Sequence, residues 1–296
     1  MSLSYPTKSI PAITVSIPVF NAAATIEYAV LSVLKQSFQD WELLILNDGS
    51  TDASMAICKR FNDPRIRIID DGVNRGLVER LNSLPSMAKG KYLARMDADD
   101  IMHPERLAKQ FAYLEANTSI DVVDCGIYII DHQNRVTGKR KTEWGAFDEA
   151  DLLRNCLFTH PAVMGRIDWF VNHKYDNNFY RAEDYELWLR AFKTSNYGRI
   201  TEPLLFYREG NVSVPNYTNS MKAVRRIFRT YGPKLLSPTQ LKVELFKSLL
   251  KEYLYRIFGA LSLQRVLAAN RNQCIKAPEA VLMQAIIDEF DGFTKV

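Results

Sequence analysis

Short β-branched runs alternate with stretches of helical period through the first part of the chain. Ile13-Thr-Val-Ser-Ile17 is an apolar run of strand length, broken by Pro18 and Asn21. Thr25 to Ser37 then places Ile26, Ala29, Val30, Val33 and Leu34 at helical spacing. Trp41 to Leu46 reads as a second strand and ends in Asn47-Asp-Gly-Ser-Thr-Asp52. There Gly49 supplies a tight turn, and Ser50 or Asp52 caps the next helix. The cycle repeats with strand-like Arg65–Ile69, helix-like Leu77–Met87 (a break or late start expected near Pro85) and strand-like Lys91–Arg95. A further helix follows Pro104 as far as Ala116. This alternation predicts an α/β fold with a mostly parallel sheet sandwiched by helices.

Beyond Ala116 the pattern loosens. Ile120–Ile130 predicts a longer strand pair with Gly126 inside it, Asp131–Asn134 a turn, and Lys139–Gly145 an exposed polar loop. Arg181–Arg190 starts a helix with Leu187, Trp188 and Phe192 facing inward, and Pro203–Arg208 is the last strand-like piece. From about Asn219 the character turns helical. Leu241, Leu245, Phe246, Leu249, Leu250, Tyr253, Leu254, Ile257, Phe258 and Leu261 form an i, i+3, i+4 stripe with Lys and Arg between them.

Open α/β sheets bind ligands beyond the carboxyl ends of their strands, and acidic groups fall there twice. Asp48 follows the second strand, and Asp97-Ala-Asp99-Asp100 follows Lys91–Arg95. Three carboxylates in four residues repel one another if buried without a partner. In an extended segment Asp97 and Asp99 point to the same side. A hard divalent cation, Mn²⁺ or Mg²⁺, would relieve the repulsion through oxygen ligands. A capped or solvated loop explains the same residues without a metal. Likewise a turn suffices for Asp48, and the helix macrodipole suffices for the Glu183-Asp184 pair.

Composition narrows the class only a little. Hydrophobic residues at 47% and charged residues at 24% of 296 are ordinary for a soluble globular chain. No apolar run reaches the roughly 18–20 residues of a membrane span. The first residues carry no signal-peptide pattern, which predicts a cytoplasmic protein. Cys58, Cys125, Cys156 and Cys274 form no Cys-x-x-Cys pair, so zinc and redox motifs are not expected. Net charge is uneven: between Lys222 and Lys276 twelve basic residues face only Glu244 and Glu252, within a chain whose total is +4. Such asymmetry points to a tail with its own partner.

Taken together, Ser16-Ile-Pro-Val-Phe-Asn21, Ser32-Val-Leu-Lys-Gln36, Asn47-Asp-Gly-Ser-Thr-Asp52, Asn74-Arg-Gly-Leu77, Asn82, Gly90-Lys-Tyr92 and Met96-Asp-Ala-Asp-Asp100 resemble the inverting family 2 glycosyltransferases of the GT-A fold, in order and spacing. Glu183-Asp184 followed by Trp188, and Tyr207-Arg208, extend the resemblance to about residue 210. The resemblance implies a GT-A catalytic domain over 1–215, followed by a basic amphipathic helical extension over 216–296. It implies that Pro18 and Phe20 line a base pocket and that Asp48 accepts from the base N–H, which favours a UDP-sugar. Arg75 lies where a basic residue near the nucleotide is often found. Asp97 would face the ribose, and Asp99 would ligate the Mn²⁺ or Mg²⁺ that bridges the diphosphate. Asp184 would be the base that removes the acceptor hydroxyl proton, with Glu183 beside it. His160 is an acceptor or phosphate contact, or equally a structural histidine before Pro161. Many relatives follow the Tyr-Arg pair with a His. Here Glu209 follows, so the diphosphate contact is left to Arg208 and no metal histidine is assigned.

The activity so implied is hexosyl transfer to a saccharide or lipid-linked saccharide in bacterial surface-polysaccharide synthesis. Two other classes compete. A nucleotidyltransferase on a related fold would need a Gly- and Lys-rich triphosphate loop near the first strand, and Pro18-Val-Phe-Asn21 is not one. A non-catalytic nucleotide-sugar scaffold has no need to keep Asp48, Asp97, Asp99 and Asp184 together. The tail carries no nucleic-acid recognition motif. It reads either as a helical subdomain whose stripe packs on the catalytic domain or as a basic amphipathic surface for anionic lipid. In the second case the protein sits peripherally on the inner face of the cell membrane.

Overall fold

The computed structural model describes residues 10–140, 145, 147–156, 158–210, 213–261 and 272–291. In chain order the strands are β1 (Ile13–Val19), β2 (Trp41–Asn47), β3 (Ile66–Asp70), β4 (Tyr92–Arg95), β5 (Ile101–Met102), β6 (Val122–Ile130), β7 (Val136–Arg140), β8 (Met164–Arg166), β9 (Tyr197–Arg208) and β10 (Asn272–Gln273). The α-helices are α1 (Ile26–Leu34), α2 (Ser54–Cys58), α3 (Leu77–Met87), α4 (Arg106–Ala116), α5 (Glu149–Arg154), α6 (Ile167–Asn172), α7 (Glu183–Ala191), α8 (Val214–Leu235), α9 (Pro238–Ala260) and α10 (Ala277–Asp291).

One sheet organises them, in the order β10-β7-β6-β8-β4-β1-β2-β3, with β9 pairing both β5 and β6. The half formed by β4, β1, β2 and β3 is parallel, with Ile13 opposite both Trp41 and Tyr92. Every residue of β1 and β2 is buried, as expected of strands covered on both faces. The other half is mixed: β8 runs antiparallel to β4 and β6, while β9 runs parallel to β6. The expected strand pair at Ile120–Ile130 is therefore a single strand, β6, whose long-range partner is β9. Gly126 sits where β9 bulges, and a Cβ there would lie 2.7 Å from the Thr201 carbonyl oxygen. The expected loop at Lys139–Gly145 begins as strand, since β7 extends to Arg140; residues 141–144 lie outside the described part. Helix α3 runs through Pro85, which falls in its last turn.

A polar girder crosses the parallel half. Thr14 donates to Glu42 (2.8 Å), and Glu42 takes the Lys89 backbone N–H (2.7 Å) and the Arg67 guanidinium (2.9 Å). Gly90 donates its N–H to the Thr14 hydroxyl at 2.9 Å. The backbone approaches so closely that a Cβ on Gly90 would sit 2.4 Å from the Thr14 nitrogen. That contact fixes where β4 starts, and so where the acidic segment at its other end emerges.

The basic tail divides. Helices α8 and α9 pair through a Tyr217–Tyr255 stack (centroids 3.8 Å) and a buried Arg225–Glu252 ion pair at 2.7 Å. Helix α10 returns to the sheet, where Met283, Ile287 and Phe290 pack with Leu31, Ile101, Tyr128 and Phe206. Most of the α9 stripe is exposed rather than packed inward: Phe246, Leu249 and Tyr253 keep 65%, 52% and 62% of their surface open. Arg265 and Arg271 lie outside the described residues.

Gly90→Ala must displace backbone rather than a side chain, so it should destabilise the fold by about 1–3 kcal/mol. A thermal melt of the variant reads this directly, and an unchanged midpoint would show that the β1–β4 approach is not a constraint.

Candidate active site

The cleft at the carboxyl ends of the parallel strands holds about 850 Å³. Its floor is built by two loops that hold each other. Asn21, in the left-handed region at φ 50°, accepts the Thr51 N–H on its side chain (2.8 Å). Ala22 donates to the Ser54 hydroxyl (2.8 Å), and Ala23 donates to the Asp52 carboxylate (3.0 Å). The polar run after β2 is thus a clasp on the loop after β1, which leaves Phe20 more than half exposed on the cleft wall. Gly49, at φ 72°, passes so close to Asn74 that a Cβ would meet its nitrogen at 2.7 Å.

Asp48 lines the cleft, yet much of its carboxylate is already engaged. Oδ1 accepts the Arg75 N–H (2.7 Å) and Arg80 Nε (2.9 Å), and Oδ2 accepts the Gly76 N–H (3.1 Å). A carboxylate offers about four acceptor positions, so Oδ2 has capacity left toward the cleft. Arg75 meets the site through its backbone; its side chain turns to solvent and pairs with Asp71 and Glu79. Pro18 is buried within β1 opposite Leu46 rather than lining the cleft.

At the end of β4, single carboxylate oxygens of Asp97, Asp99 and Asp100 all lie within 4.8 Å of one another. Asp100 is buried, its Oδ1 accepts the Arg208 N–H (2.9 Å), and its Oδ2 has no partner. Enclosure by neighbouring groups, then the charge of Asp97, pushes the Asp99 carboxyl up to about 6. Burial, then Asp97 and Asp99, raises Asp100 as well. Arg208 steadies this loop from behind: Nε donates to the Asp99 carbonyl (2.7 Å), while the terminal nitrogens hold Asp131 and Asn134 (2.6 and 2.5 Å). Its guanidinium is therefore committed to the protein instead of reaching into the cleft. The unpaired buried oxygen and the crowded oxygen donors fit a hard divalent ion, with Asp99 and its two neighbours as ligands.

The opposite wall begins with Glu183 and Asp184 in the first turn of α7. Burial raises both carboxyls, and Glu183 Oε2 is buried without a partner. His160 lines the cleft but is bound to the Tyr175 hydroxyl at 2.8 Å. Burial, with the Arg95 charge nearby, holds its ring well below the usual histidine range, so the imidazole is neutral and suits a hydrogen bond better than a charge on phosphate.

Sequence reasoning missed Arg95. It is 4% exposed, lines the cleft, bonds Asp97 at 2.5 Å, and has Nε and one terminal nitrogen without partners. Its charge acts on both Asp97 and Asp184. The available signal was a guanidinium inside an otherwise apolar strand, which requires an anion. The cleft is also lined by Arg181, at φ 70°, and by Arg199, which is joined to the buried Asp124 behind it by two bonds of 2.7 and 2.5 Å.

A sheet of this order with carboxylates at its strand ends has the arrangement of the GT-A fold. Residues 14–186 match the model of Glycosyl transferase family 2, and the chain belongs to that family. EpsE of Bacillus subtilis (strain 168), a glycosyltransferase by name, is 32% identical over 206 residues, covering 67% of this chain and 73% of EpsE. The Escherichia coli UDP-Glc:alpha-D-GlcNAc-diphosphoundecaprenol beta-1,3-glucosyltransferase WfgD is 28% identical over 232 residues, covering 76% of this chain and 87% of WfgD. Among solved structures, the mannosyltransferase PcManGT from Pyrobaculum calidifontis, in complex with GDP-Man and Mn²⁺, superposes with a TM-score of 0.59 at 17% identity. It covers 96% of this chain and 87% of its own.

If a cation answers the repulsion at Asp99, protons and metal compete for that carboxyl. The sign follows from its raised value: above about 6 the group is ionised and binds metal, and below it the proton wins. Mn²⁺ should therefore raise the melting temperature at pH 7.5 and lose that effect progressively as pH falls through 6 toward 5. An Mn²⁺ shift that is absent at pH 7.5, or independent of pH, would remove the cluster as a metal site.

Proposed function

We propose that this enzyme is a metal-dependent, inverting hexosyltransferase. It moves a sugar from a nucleotide-diphospho-sugar, by preference a UDP-sugar, to a saccharide or lipid-linked saccharide acceptor in bacterial surface-polysaccharide synthesis. The observation that carries the proposal is one cleft lined both by Asp97, of the Asp97–Asp99–Asp100 cluster, and by the half-buried Asp184, with the Arg95 charge acting on both. WfgD supports the donor and the lipid-linked acceptor through what its name says it uses.

In this reading Phe20 offers its ring to the base, and Asp48 accepts the base N–H on its remaining oxygen capacity. Asp97, braced by Arg95, takes the ribose hydroxyls. Arg75 and Arg208 act indirectly, one by ordering Asp48 and the other by fixing the Asp99 backbone. Asp99 with its neighbours would hold a Mn²⁺ or Mg²⁺, which would supply Lewis-acid stabilisation to the departing diphosphate. Asp184 removes the proton from the acceptor hydroxyl as that oxygen attacks C1, and the bond from C1 to the diphosphate oxygen breaks on the opposite side. A single displacement inverts C1. Burial raises the basicity of Asp184, and the nearby Arg95 charge works against that rise. Glu183 and neutral His160 stand where they can orient the acceptor.

A GDP-sugar is the second reading, favoured by the GDP-Man bound in PcManGT. Calorimetric titration with UDP and with GDP, each with and without Mn²⁺, decides between them. Manganese-dependent binding of UDP alone is expected; preference for GDP would overturn the role given to Asp48. Binding of neither would favour a scaffold.

Two substitutions test the division of labour. Asp99→Asn should abolish the Mn²⁺-dependent part of donor binding. Asp184→Asn should bind donor nearly as well as the parent while transfer falls about 10²–10⁴-fold, the usual contribution of a general base. Normal turnover in the second variant would exclude Asp184 as the base.

A further inference from the structure

Helix α9 is amphipathic in the unexpected sense. At 100° per residue, Leu241, Leu245, Ser248, Glu252 and Tyr255 fall on one side, and this side packs on α8 around the Arg225–Glu252 pair. Phe246, Leu249, Leu250, Tyr253, Leu254 and Ile257 fall on the other and are exposed. Lys242 and Arg256 border that apolar face on one flank, and Lys247 and Lys251 border it on the other. With 23 residues the helix is about 34 Å long. No helix among the described residues is long and apolar enough to cross a membrane.

We propose that the outward face of α9 lies in the interfacial plane of an anionic lipid bilayer, its apolar residues in the acyl boundary and its four flanking cations against headgroup phosphates. Charge selects this occupant. A second copy seated on the same face would bring lysine flanks against lysine flanks. The acidic residues beside these flanks are already engaged, Glu244 with Lys247 at 2.8 Å and Glu252 with Arg225 and Arg256 at 2.7 and 2.6 Å. An anionic surface offers counter-charge along both flanks at once.

The arrangement also orients the cleft, which rests on the lipid-linked acceptor proposed above. Helix α8 separates α9 from the cleft. It contributes Ser220 to the cleft wall, and its Arg226 donates to the Asn178 carbonyl (3.0 Å) in the turn that leads to Tyr180 and Arg181. The same wall carries Asp184. A bilayer seated on the outward face of α9 therefore stands on the α8 side of the cleft, with α9 and α8 between lipid and base.

The test is flotation of the full chain with vesicles of phosphatidylcholine alone or enriched in phosphatidylglycerol, without donor or metal. The protein should float with the phosphatidylglycerol vesicles only, and less so in 1 M salt, where screening shortens to about 3 Å. Phe246→Ser with Tyr253→Ser removes exposed rings, so the melting temperature should hold while flotation falls about tenfold or more. Lys247→Glu with Lys251→Glu should abolish the preference for phosphatidylglycerol. No flotation of the parent, or flotation unchanged in both variants, overturns the proposal. So does sedimentation showing a dimer that the serine variant dissociates. UDP titration and flotation of the parent separate the two proposals: no donor binding with intact flotation fails the catalytic reading alone, and the converse fails this one alone.

Discussion

Like-charge repulsion at the strand ends is the constraint on which the active-site half of this molecule depends. Asp48, Asp97, Glu183 and Asp184 line one cleft, and Asp97 also belongs, with Asp99 and Asp100, to a trio after β4 whose carboxylate oxygens come within 4.8 Å of one another. A chain that brings these together must place cations behind them. Arg95 does so beneath Asp97, and Arg80 does so beneath Asp48 while also reaching Asp71. Arg208 braces the Asp99–Asp100 turn through its backbone donor and its guanidinium. Compensation is incomplete at the Asp99–Asp100 turn, where carboxyls remain raised and one buried oxygen lacks a partner. An interior that leaves like charge uncompensated favours a divalent ion in the same place.

The scaffold makes that placement possible by rigid means. Each loop at the cleft floor is tied by side chains of its neighbour, as with Asn21 on Thr51 and Asp52 on Ala23, so neither loop depends on a ligand for its shape. The start of β4 is pinned by Gly90 against Thr14 and by Lys89 against Glu42. A four-residue strand then delivers Arg95 in register with Ser16 of β1, with Asp97 two residues beyond its end. Pre-organisation of this kind suits electrostatic catalysis, because groups already aimed at developing charge need no reorganisation at the moment of reaction.

What the sequence disclosed follows the range of the interactions involved. The β1–β4 half was legible because strand runs and helical periods are local, and the acidic groups could be placed at strand ends from that alone. The pairing of β6 with β9, more than seventy residues apart, left no local trace; Ile120–Ile130 offered only an apolar run and a glycine. Site residues divide in the same way. Asp48, Asp97 and Asp184 line the cleft as their positions after strands or at a helix start suggested. Arg75 and Arg208 do not reach into it as donors, because Asp71, Glu79, Asp131 and Asn134 capture their side chains, and that capture depends on tertiary contacts. Arg95 was missed although its signal was local: a charge in a strand that had to be buried.

The tail shows why periodicity fixes a face but not its direction. From periodicity alone the apolar stripe of α9 reads either as a side packed on the catalytic domain or as a surface for anionic lipid. The fold turns the narrower side inward, where Tyr255 stacks on Tyr217 and Glu252 meets Arg225. Packing that side onto α8 commits an ion pair and a ring stack, which are geometrically demanding and hold α9 in one rotation about its axis. The broad apolar side, tolerant of any apolar surface, is what remains outward. A soluble monomer would gain by the reverse arrangement, since exposed apolar area costs about 25 cal/mol per Å². Its retention beside four flanking cations is the arrangement expected where an anionic lipid surface, rather than water, is the medium on that side.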